Sequence, residues 1–453
     1  MGKKAGNCTR REFLMGTASA VAAITLVPRH VLGEGESPPS NKLNIACIGV
    51  GGRGEANLDG VKGENIVALC DADTRRAGKA FRDFPAAKQY QDFRKMFDEM
   101  EKQIDAVVVS TPDHTHAVAC MAAIKRGKHI YCEKPLAHSI HEIRALRNAA
   151  REHKVITQLG NQGHSSEDIR RLCEWIWDGA IGNVREVHAF SGVILSYISR
   201  LDRLSEKQEV PQGLDWDLWL GPAKFRPYNR MYLPGSWRGW APFGTGAIGD
   251  WVCHVVDPVF WALHLDSPTS VQAEAEGYDP KKHADTFPRG NRIRFEFPAR
   301  EKRAPVTLLW FDGVEKPPRP EELEPGKELP NIGAVVIGDK GKIMHGSHGA
   351  GEVRIIPDEK MAAYKQPDRT LPRVRGHYQD WLDSVRSGRQ AGSNFDYGGP
   401  LAELALLGNI AIRMLGQKLA WDGEKMRFTN CPEANALVNP PYREGWTLYS
   451  PAG

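Results

Sequence analysis

The sequence predicts two α/β units. The first is a parallel sheet with helices on both faces; the second is an α+β domain built on a large, mostly antiparallel open sheet. Three observations predict them. Between residues 42 and 159 short apolar runs alternate with helical stretches, which is the pattern of a parallel sheet. Beyond residue 160 strand-like runs follow one another, heavily punctuated by Pro and Gly. A chain of 453 residues that is 41% hydrophobic is long enough for two cores.

The N-terminus stands apart from both. Thr9-Arg10-Arg11-Glu12-Phe13-Leu14-Met15 is a twin-arginine pattern, followed by a small-residue apolar run over 16–27 and a polar, Pro-containing stretch over 33–41. This reads as a twin-arginine export signal (1–33) and a linker (34–41). The expected location is the periplasm, with the twin-arginine translocase a partner during export. The apolar run is short for a membrane span. No A-x-A cleavage site is visible, so the segment is cut near Gly33 or kept as an anchor.

Charge adds a boundary. The formal charge is +4, and residues 1–33 carry all of it: Lys3, Lys4, Arg10, Arg11 and Arg29 against Glu12. The remainder is balanced, which gives no electrostatic case for nucleic acid or an anionic membrane. Eight cysteines are scattered without any C-x-x-C, and buried thiols are the expectation rather than a disulfide framework.

The stretch 43–71 organises the first unit. An apolar run, Ile45-Ala46-Cys47-Ile48, is followed by Gly49-Val50-Gly51-Gly52-Arg53-Gly54, a helical segment, a second apolar run over 66–70, and Asp71. The glycines fit G-x-G-x-x-G. Gly49 allows a tight turn, Gly51 lets backbone approach a pyrophosphate, and Gly54 lets helix and strand pack closely. The helix N-terminus then offers unpaired N–H groups to phosphate. Asp71, at the end of the second strand, is placed to accept from the adenosine ribose hydroxyls and would repel a 2′-phosphate. The cofactor expected is therefore NAD rather than NADP, on a Rossmann sheet.

Further strands are expected at 104–110, 129–132 and 155–159, with helices at 118–126 and 140–153. Such sheets bind ligands at the carboxyl ends of their strands. Ser110-Thr111-Pro112-Asp113-His114-Thr115-His116 lies at one such end and Glu133-Lys134-Pro135 at the next. Ser110, Thr111, Pro112, His116, Glu133 and Lys134 are expected to line the cofactor cleft together with Gly49, Gly51, Gly52, Arg53, Gly54 and Asp71. His114 and His116, two apart in a predicted loop, suggest a metal pair only weakly, because no third ligand stands at standard spacing; no metal is expected.

In the second unit (160–453), 199–246 is long, irregular and rich in Pro, Trp and Arg, which in a compact domain marks a functional loop. Flat rings such as Trp219 beside donors such as Arg238 suit a sugar, although core packing of a long loop explains them equally well. A helix is expected over 250–265, with Asp250, His254 and Asp257 on one face among apolar residues. Carboxylates and an imidazole on a buried face are costly unless paired or used. Strands are expected at 184–191, 270–276, 292–297, 306–311, 334–338 and 342–345, and helices at 377–387 and 401–415.

The ordered set formed by the glycine motif, Thr111-Pro112-Asp113-His114-Thr115-His116, Glu133-Lys134-Pro135 and Asp250-Trp251-Val252-Cys253-His254-Val255-Val256-Asp257 resembles the glucose–fructose oxidoreductase / inositol dehydrogenase / MocA (Gfo/Idh/MocA) family over roughly residues 42–420. Together with Gly160-Asn161-Gln162-Gly163-His164 and the twin-arginine leader it looks like an exported bacterial branch. The resemblance implies that Lys134 is catalytic and that His254, paired with Asp250, is the acid/base. It also implies homo-oligomers, dimers or tetramers, packed through the open sheet. Where the family commonly has Asn after Thr-Pro, this chain has Asp113, and Trp251 and Val252 replace a usual glycine. Gln162, Trp219, Arg238 and Asp257 are expected on the substrate side.

The function expected is NAD-dependent hydride transfer at a CH–OH carbon of a sugar, polyol or sugar derivative. His254 takes the hydroxyl proton, Lys134 holds the oxygen and Asp250 orients the pair. Free NAD is scarce outside the cytoplasm, so the cofactor is expected to be held tightly. Two alternatives stay open: redox-neutral, NAD-dependent glycoside hydrolysis through a transient keto sugar, and a non-catalytic sugar-binding protein.

Overall fold

The computed structural model describes residues 42–300 and 303–449, so the twin-arginine segment and the whole linker lie outside the described residues. The first sheet comprises β1 (Asn44–Ile48), β2 (Asn65–Cys70), β3 (Lys88–Tyr90), β4 (Ala106–Val109), β5 (His129–Cys132) and β6 (Thr157–Leu159). Their order is β3-β2-β1-β4-β5-β6, and every pairing is parallel. Neighbouring connections run to opposite sides between β1 and β4, and a crevice opens there at the carboxyl ends of the strands. β3 and the helices Thr74–Asp83 and Phe93–Met100 are additions to the sequence reading.

The second sheet comprises β7 (Val184–Ser191), β8 (Ser270–Glu274), β9 (Gly290–Phe297), β10 (Val306–Gly313), β11 (Ile332–Gly338), β12 (Lys342–Gly346), β13 (Arg354–Ile356), β14 (Leu419–Asp422) and β15 (Arg427–Phe428). Its order is β13-β12-β11-β7-β10-β9-β8-β14-β15. Only β7 and β10 pair in parallel; the other pairs are antiparallel. Period-two alternation sends Leu308 and Trp310 of β10 to a helix-covered face, where Ile248, Val252 and Leu404 join them in the main core. Burying one such side chain contributes roughly 1.5–3 kcal/mol. The opposite face carries a smaller apolar cluster centred on Phe190, Phe311 and Val335.

Three local expectations are corrected. The segment carrying His114 and His116 is not a loop: Pro112 caps a helix, Asp113–Ile124, and both histidines lie within its first turn. The stretch expected as one helix over 250–265 is two, Gly246–Val255 and Asp257–Ala262, which meet at Val256. The helix His377–Ser387, assigned by sequence position to the second unit, packs Trp381 and Leu382 against Ile45 and Tyr131 of the first sheet and Leu58 of the helix Arg53–Val61. The chain therefore returns to complete the parallel layer. All seven described cysteines are buried and unpaired. Among the described residues no helix is long and apolar enough to cross a membrane.

Burial also sets an acid limit on stability. It lowers the imidazole of His114 to about 3, and those of His345 and His377 to about 4. In the unfolded chain each titrates near 6.5. Below pH ~6.5 the unfolded state thus binds more protons, and stability falls as the pH falls toward 4. Asp312, raised by burial to about 7, acts in the opposite sense together with the raised Asp71 and Asp113, but these are three carboxyls against six lowered imidazoles, His129, His254 and His348 being the others. The melting temperature is expected to drop by at least about 5 °C between pH 7 and pH 5. A calorimetric scan showing no drop refutes this assignment.

Candidate active site

β1 ends at Ile48, and the chain turns at Gly49 with φ 78°. A Cβ at Gly49 would lie 2.7 Å from the Ser110 carbonyl and the Thr111 nitrogen, so only glycine lets β1 and β4 meet here. Gly54 is tighter: its Cβ would sit 1.9 Å from the Gly49 carbonyl oxygen. Gly51 and Gly52 leave the start of the helix Arg53–Val61 bare of side chains.

This bare loop forms part of the lining of a cavity of about 370 Å³. Asp71 borders it next to the loop, and Ser110, Thr111, Pro112 and His116 line the part formed by the end of β4 and the following helix. Glu133, Lys134, Trp219 and Arg238 complete the lining residues predicted from sequence. Of the residues expected to contact the cofactor, Gly54 alone does not line the cavity; it seats the helix against the loop.

The cradle fits a dinucleotide: backbone N–H groups and absent side chains where phosphates would approach, and a carboxylate at the end of β2. Asp71 has a second task. Its two oxygens accept from Val50 N at 3.0 Å and Asp73 N at 2.9 Å, which fixes the loop, and each keeps a lone pair for a ribose hydroxyl. Burial raises its pKa above the ordinary carboxylate value.

Lys134 follows β5. Its Nζ donates to Asp250 Oδ1 at 2.5 Å and to the Asp250 carbonyl at 2.8 Å. Arg238 Nε donates to the same Oδ1 at 3.0 Å. Burial alone would raise the Asp250 pKa, but the charges of Lys134 and Arg238 outweigh it and hold the carboxyl far below its usual range. Glu133, next to Lys134, gathers Arg53 Nε at 3.0 Å, Asn57 Nδ2 at 3.0 Å and Gln162 Nε2 at 2.9 Å on one oxygen. The glycine loop and the lysine are thereby tied through a single carboxylate.

One helical turn beyond Asp250, His254 is 6% exposed, and its Nδ1 is buried without a hydrogen-bond partner among the described residues. Burial first, then the charge of Lys134, press its pKa well below the ordinary imidazole value, so the ring is neutral and able to accept a proton. An unsatisfied buried nitrogen costs about 1–3 kcal/mol and marks a group available to a ligand. His254 does not itself line the cavity.

Two residues expected at the substrate are placed elsewhere. Asp257 is 1% exposed, and its carboxylate accepts from Asn161 Nδ2 at 3.0 Å and from Tyr397 OH at 2.5 Å, with His164 Nδ1 at 3.0 Å. It is a buried structural hub. Gln162 Nε2 donates to Tyr131 OH at 2.7 Å as well as to Glu133, so it supports the carboxylate rather than facing the cavity. The ring nitrogens of His116 face the carbonyls of Pro135 and Thr111, both at 2.8 Å, and those of His114 face the carbonyls of Trp219 and Phe243. Backbone oxygens occupy all four nitrogens.

Asp113 is buried and accepts from Thr245 Oγ1 at 2.6 Å, a bond between the two units that the sequence did not signal. His348 was also missed. Its exposed ring stacks on His254 with centroids 4.2 Å apart at 21°, and its backbone has φ 55°. A non-glycine residue in that region is a sequence-invisible feature that gathers at functional sites.

Residues 43–161 match the model of an oxidoreductase family with an NAD-binding Rossmann fold, Gfo/Idh/MocA. Residues 186–302 and 324–448 match that family's C-terminal alpha/beta domain. The chain belongs to the Gfo/Idh/MocA family. Its first unit is accordingly an NAD-binding Rossmann domain. Among curated members, levoglucosan dehydrogenase of Pseudarthrobacter phenanthrenivorans is 28% identical over 190 residues, covering 42% of this chain and 40% of that protein. The 1,5-anhydro-D-fructose reductase of Ensifer adhaerens is 35% identical over 175 residues, covering 38% of this chain and 41% of the reductase. The matched stretch thus spans less than half the length of either relative. Solved structures extend the likeness in fold alone. An aldose–aldose oxidoreductase from Caulobacter crescentus, complexed with glycerol, superposes with a TM-score of 0.55 at 17% identity, over 84% of this chain and 100% of that one. The WlbA dehydrogenase of Bordetella pertussis, in complex with NADH and UDP-GlcNAcA, gives 0.58 at 16% identity over 84% and 98%.

Proposed function

We propose that this Gfo/Idh/MocA chain is an NAD-dependent oxidoreductase that acts on a CH–OH carbon of a sugar, polyol or sugar derivative. The observation that carries this reading is Lys134 Nζ, held 2.5 Å from Asp250 at the end of a cavity that begins on the glycine loop. NAD, when bound, supplies the hydride acceptor. Lys134 donates to the substrate oxygen and steadies the charge that grows on it. His254, neutral at physiological pH, is the base to which the hydroxyl proton is passed inward, since the ring does not itself line the cavity. Asp250 stays ionised and fixes the lysine between two acceptors, and Arg238 on the same oxygen leaves the cluster with one net positive charge. Trp219 and Arg238 line the same cavity and offer a flat face and a donor to a polyol. The names of two curated relatives, levoglucosan dehydrogenase and 1,5-anhydro-D-fructose reductase, support the same class.

The proposal includes export through the twin-arginine route, supported by the pattern over residues 9–15, and a tightly held cofactor that passes its hydride between paired sugars. It also includes a homo-oligomer that packs through the open nine-stranded sheet. One preparation tests all three. Protein expressed in a twin-arginine-competent host is expected in the periplasmic fraction, with a native mass that is a multiple of the monomer. After desalting and denaturation it is expected to release close to one NAD(H) per chain. Released nucleotide far below stoichiometric, together with no activity when NAD and a sugar panel are added, sinks the enzymatic reading.

A second reading, redox-neutral glycoside cleavage, is favoured by one observation. His348 stacked on His254 gives the site two imidazoles, one buried and one exposed, each able to hold and return a proton. Aryl-glycoside cleavage without added NAD distinguishes the two.

A further inference from the structure

A second cavity, of about 330 Å³, has Gly244 and Thr245 among its lining residues. It falls within the size range of small-molecule pockets. Three cations line it: Lys224, Arg226 and Arg413. The only acidic lining residue is Glu142, whose carboxylate is already engaged by His138 N at 2.9 Å, Ser139 N at 2.8 Å and the Tyr442 hydroxyl.

The cations differ in what balances them. Arg226 is paired with Asp285 at 3.2 Å. Arg413 lies over the Phe287 ring at 5.5 Å and donates to the Tyr278 hydroxyl, with no carboxylate partner among the described residues. Lys224 is exposed and has no hydrogen bond or ion pair among them. Counting Glu142 and Asp285 against the three cations leaves one positive charge. Arg413 is half-buried and feels Asp285 only at a distance, so a guanidinium partly withdrawn from water lacks a paired counter-ion, and an anion entering the cavity would relieve that cost. The remaining walls are largely apolar, with Phe287 and Leu406 among them.

We propose that this cavity binds a compact carboxylic acid with a ring-shaped or apolar body. A carboxylate monoanion matches the single uncompensated charge, whereas a phosphate ester, close to a dianion, exceeds it. The site reports to the first cavity. Thr245 and His114 line the second cavity, Thr245 Oγ1 donates to Asp113, and Asp113 lines the first. The helix bearing Asp250 and His254 starts at the next residue, Gly246. The ligand therefore sits behind the N-terminus of the helix that carries the acid–base pair, as an effector would. None of this depends on the proposed oxidoreductase activity.

Isothermal titration of the NAD-saturated full chain tests it, with D-glucuronate, D-gluconate and benzoate as carboxylate probes. D-glucose serves as the neutral control and glucose 6-phosphate as the more highly charged one. At least one carboxylate is expected to bind saturably in a manner that depends on Lys224, with no Lys224-dependent binding of glucose and with that of glucose 6-phosphate about tenfold weaker or more. Lys224→Gln is expected to weaken that binding about tenfold, and Arg413→Met about a hundredfold. Lys224 is on the surface, so its variant decides the matter even if Arg413→Met fails to fold. The proposal is overturned if none of the three carboxylates binds saturably, if binding is unchanged in Lys224→Gln, or if the phosphate ester binds more tightly than the carboxylates.

Discussion

Replacing Lys134 by alanine is expected to lower turnover by about three orders of magnitude or more while leaving NAD affinity within about tenfold. Lys134 Nζ is the cavity-lining cation held in place by two acceptors of Asp250, at 2.5 and 2.8 Å. Without it, no fixed donor meets the oxygen on which charge develops. The variant is expected to fold, because Asp250 keeps Arg238 as its partner and is not left as a stranded buried carboxylate. Steady-state kinetics beside a dinucleotide titration separates the two effects. Turnover within tenfold of the parent removes Lys134 from the chemistry. A parallel loss of NAD binding makes it a cofactor ligand instead. If the parent chain itself turns over no sugar while binding both NAD and sugar, the non-catalytic alternative holds.

Gly54→Ala is expected to be as damaging through a different route. The new methyl would lie 1.9 Å from the Gly49 carbonyl oxygen and 2.8 Å from its carbon, and both are backbone atoms that no rotamer change can move. Either the helix Arg53–Val61 withdraws from the glycine loop or the loop itself shifts; in both cases the phosphate cradle is lost. A stability loss of about 3 kcal/mol is expected from overpacking on this scale, together with at least a hundredfold loss in NAD affinity. Gly63→Ala is the matched control, since a Cβ there meets nothing within 4 Å. Denaturant melts and NAD titrations of the two variants check this. Equal behaviour of Gly54→Ala and Gly63→Ala would show that the loop is plastic and that the close packing is not required.

The parts of the site legible in the sequence are those whose meaning is local. The glycine loop, the strands flanking it and Asp71 lie within one continuous stretch, so their spacing already encodes turn, helix N-terminus and strand end. Lys134 was legible as a residue following a strand, and Asp250 with His254 as a pair four apart on a helix. The misread cases share one property. Asp257 has the same helical spacing as Asp250 and His254, but its partners Asn161, His164 and Tyr397 stand 93 to 140 residues away. They occupy its oxygens and turn a suspected ligand into a buried hub. Gln162 was read as facing substrate, yet Tyr131 and Glu133 claim its amide. The first-turn placement of His114 and His116 was signalled locally by Pro112, which the loop reading passed over.

By itself, then, the sequence determined the two sheets, their parallel and antiparallel character, and the dinucleotide cradle. Each of these rests on periodicity or spacing within about thirty residues, which backbone sterics and side-chain alternation convert directly into geometry. Only the tertiary structure decided which polar groups remain free for chemistry. Asp250 faces Lys134 from 116 residues away, His348 reaches the face of His254, and the helix His377–Ser387 crosses back to cover the first sheet. A carboxylate or imidazole has the same intrinsic chemistry wherever it stands. Its role is set by the partners that packing brings to its lone pairs and by how much water that packing removes, and neither is written in the neighbouring residues.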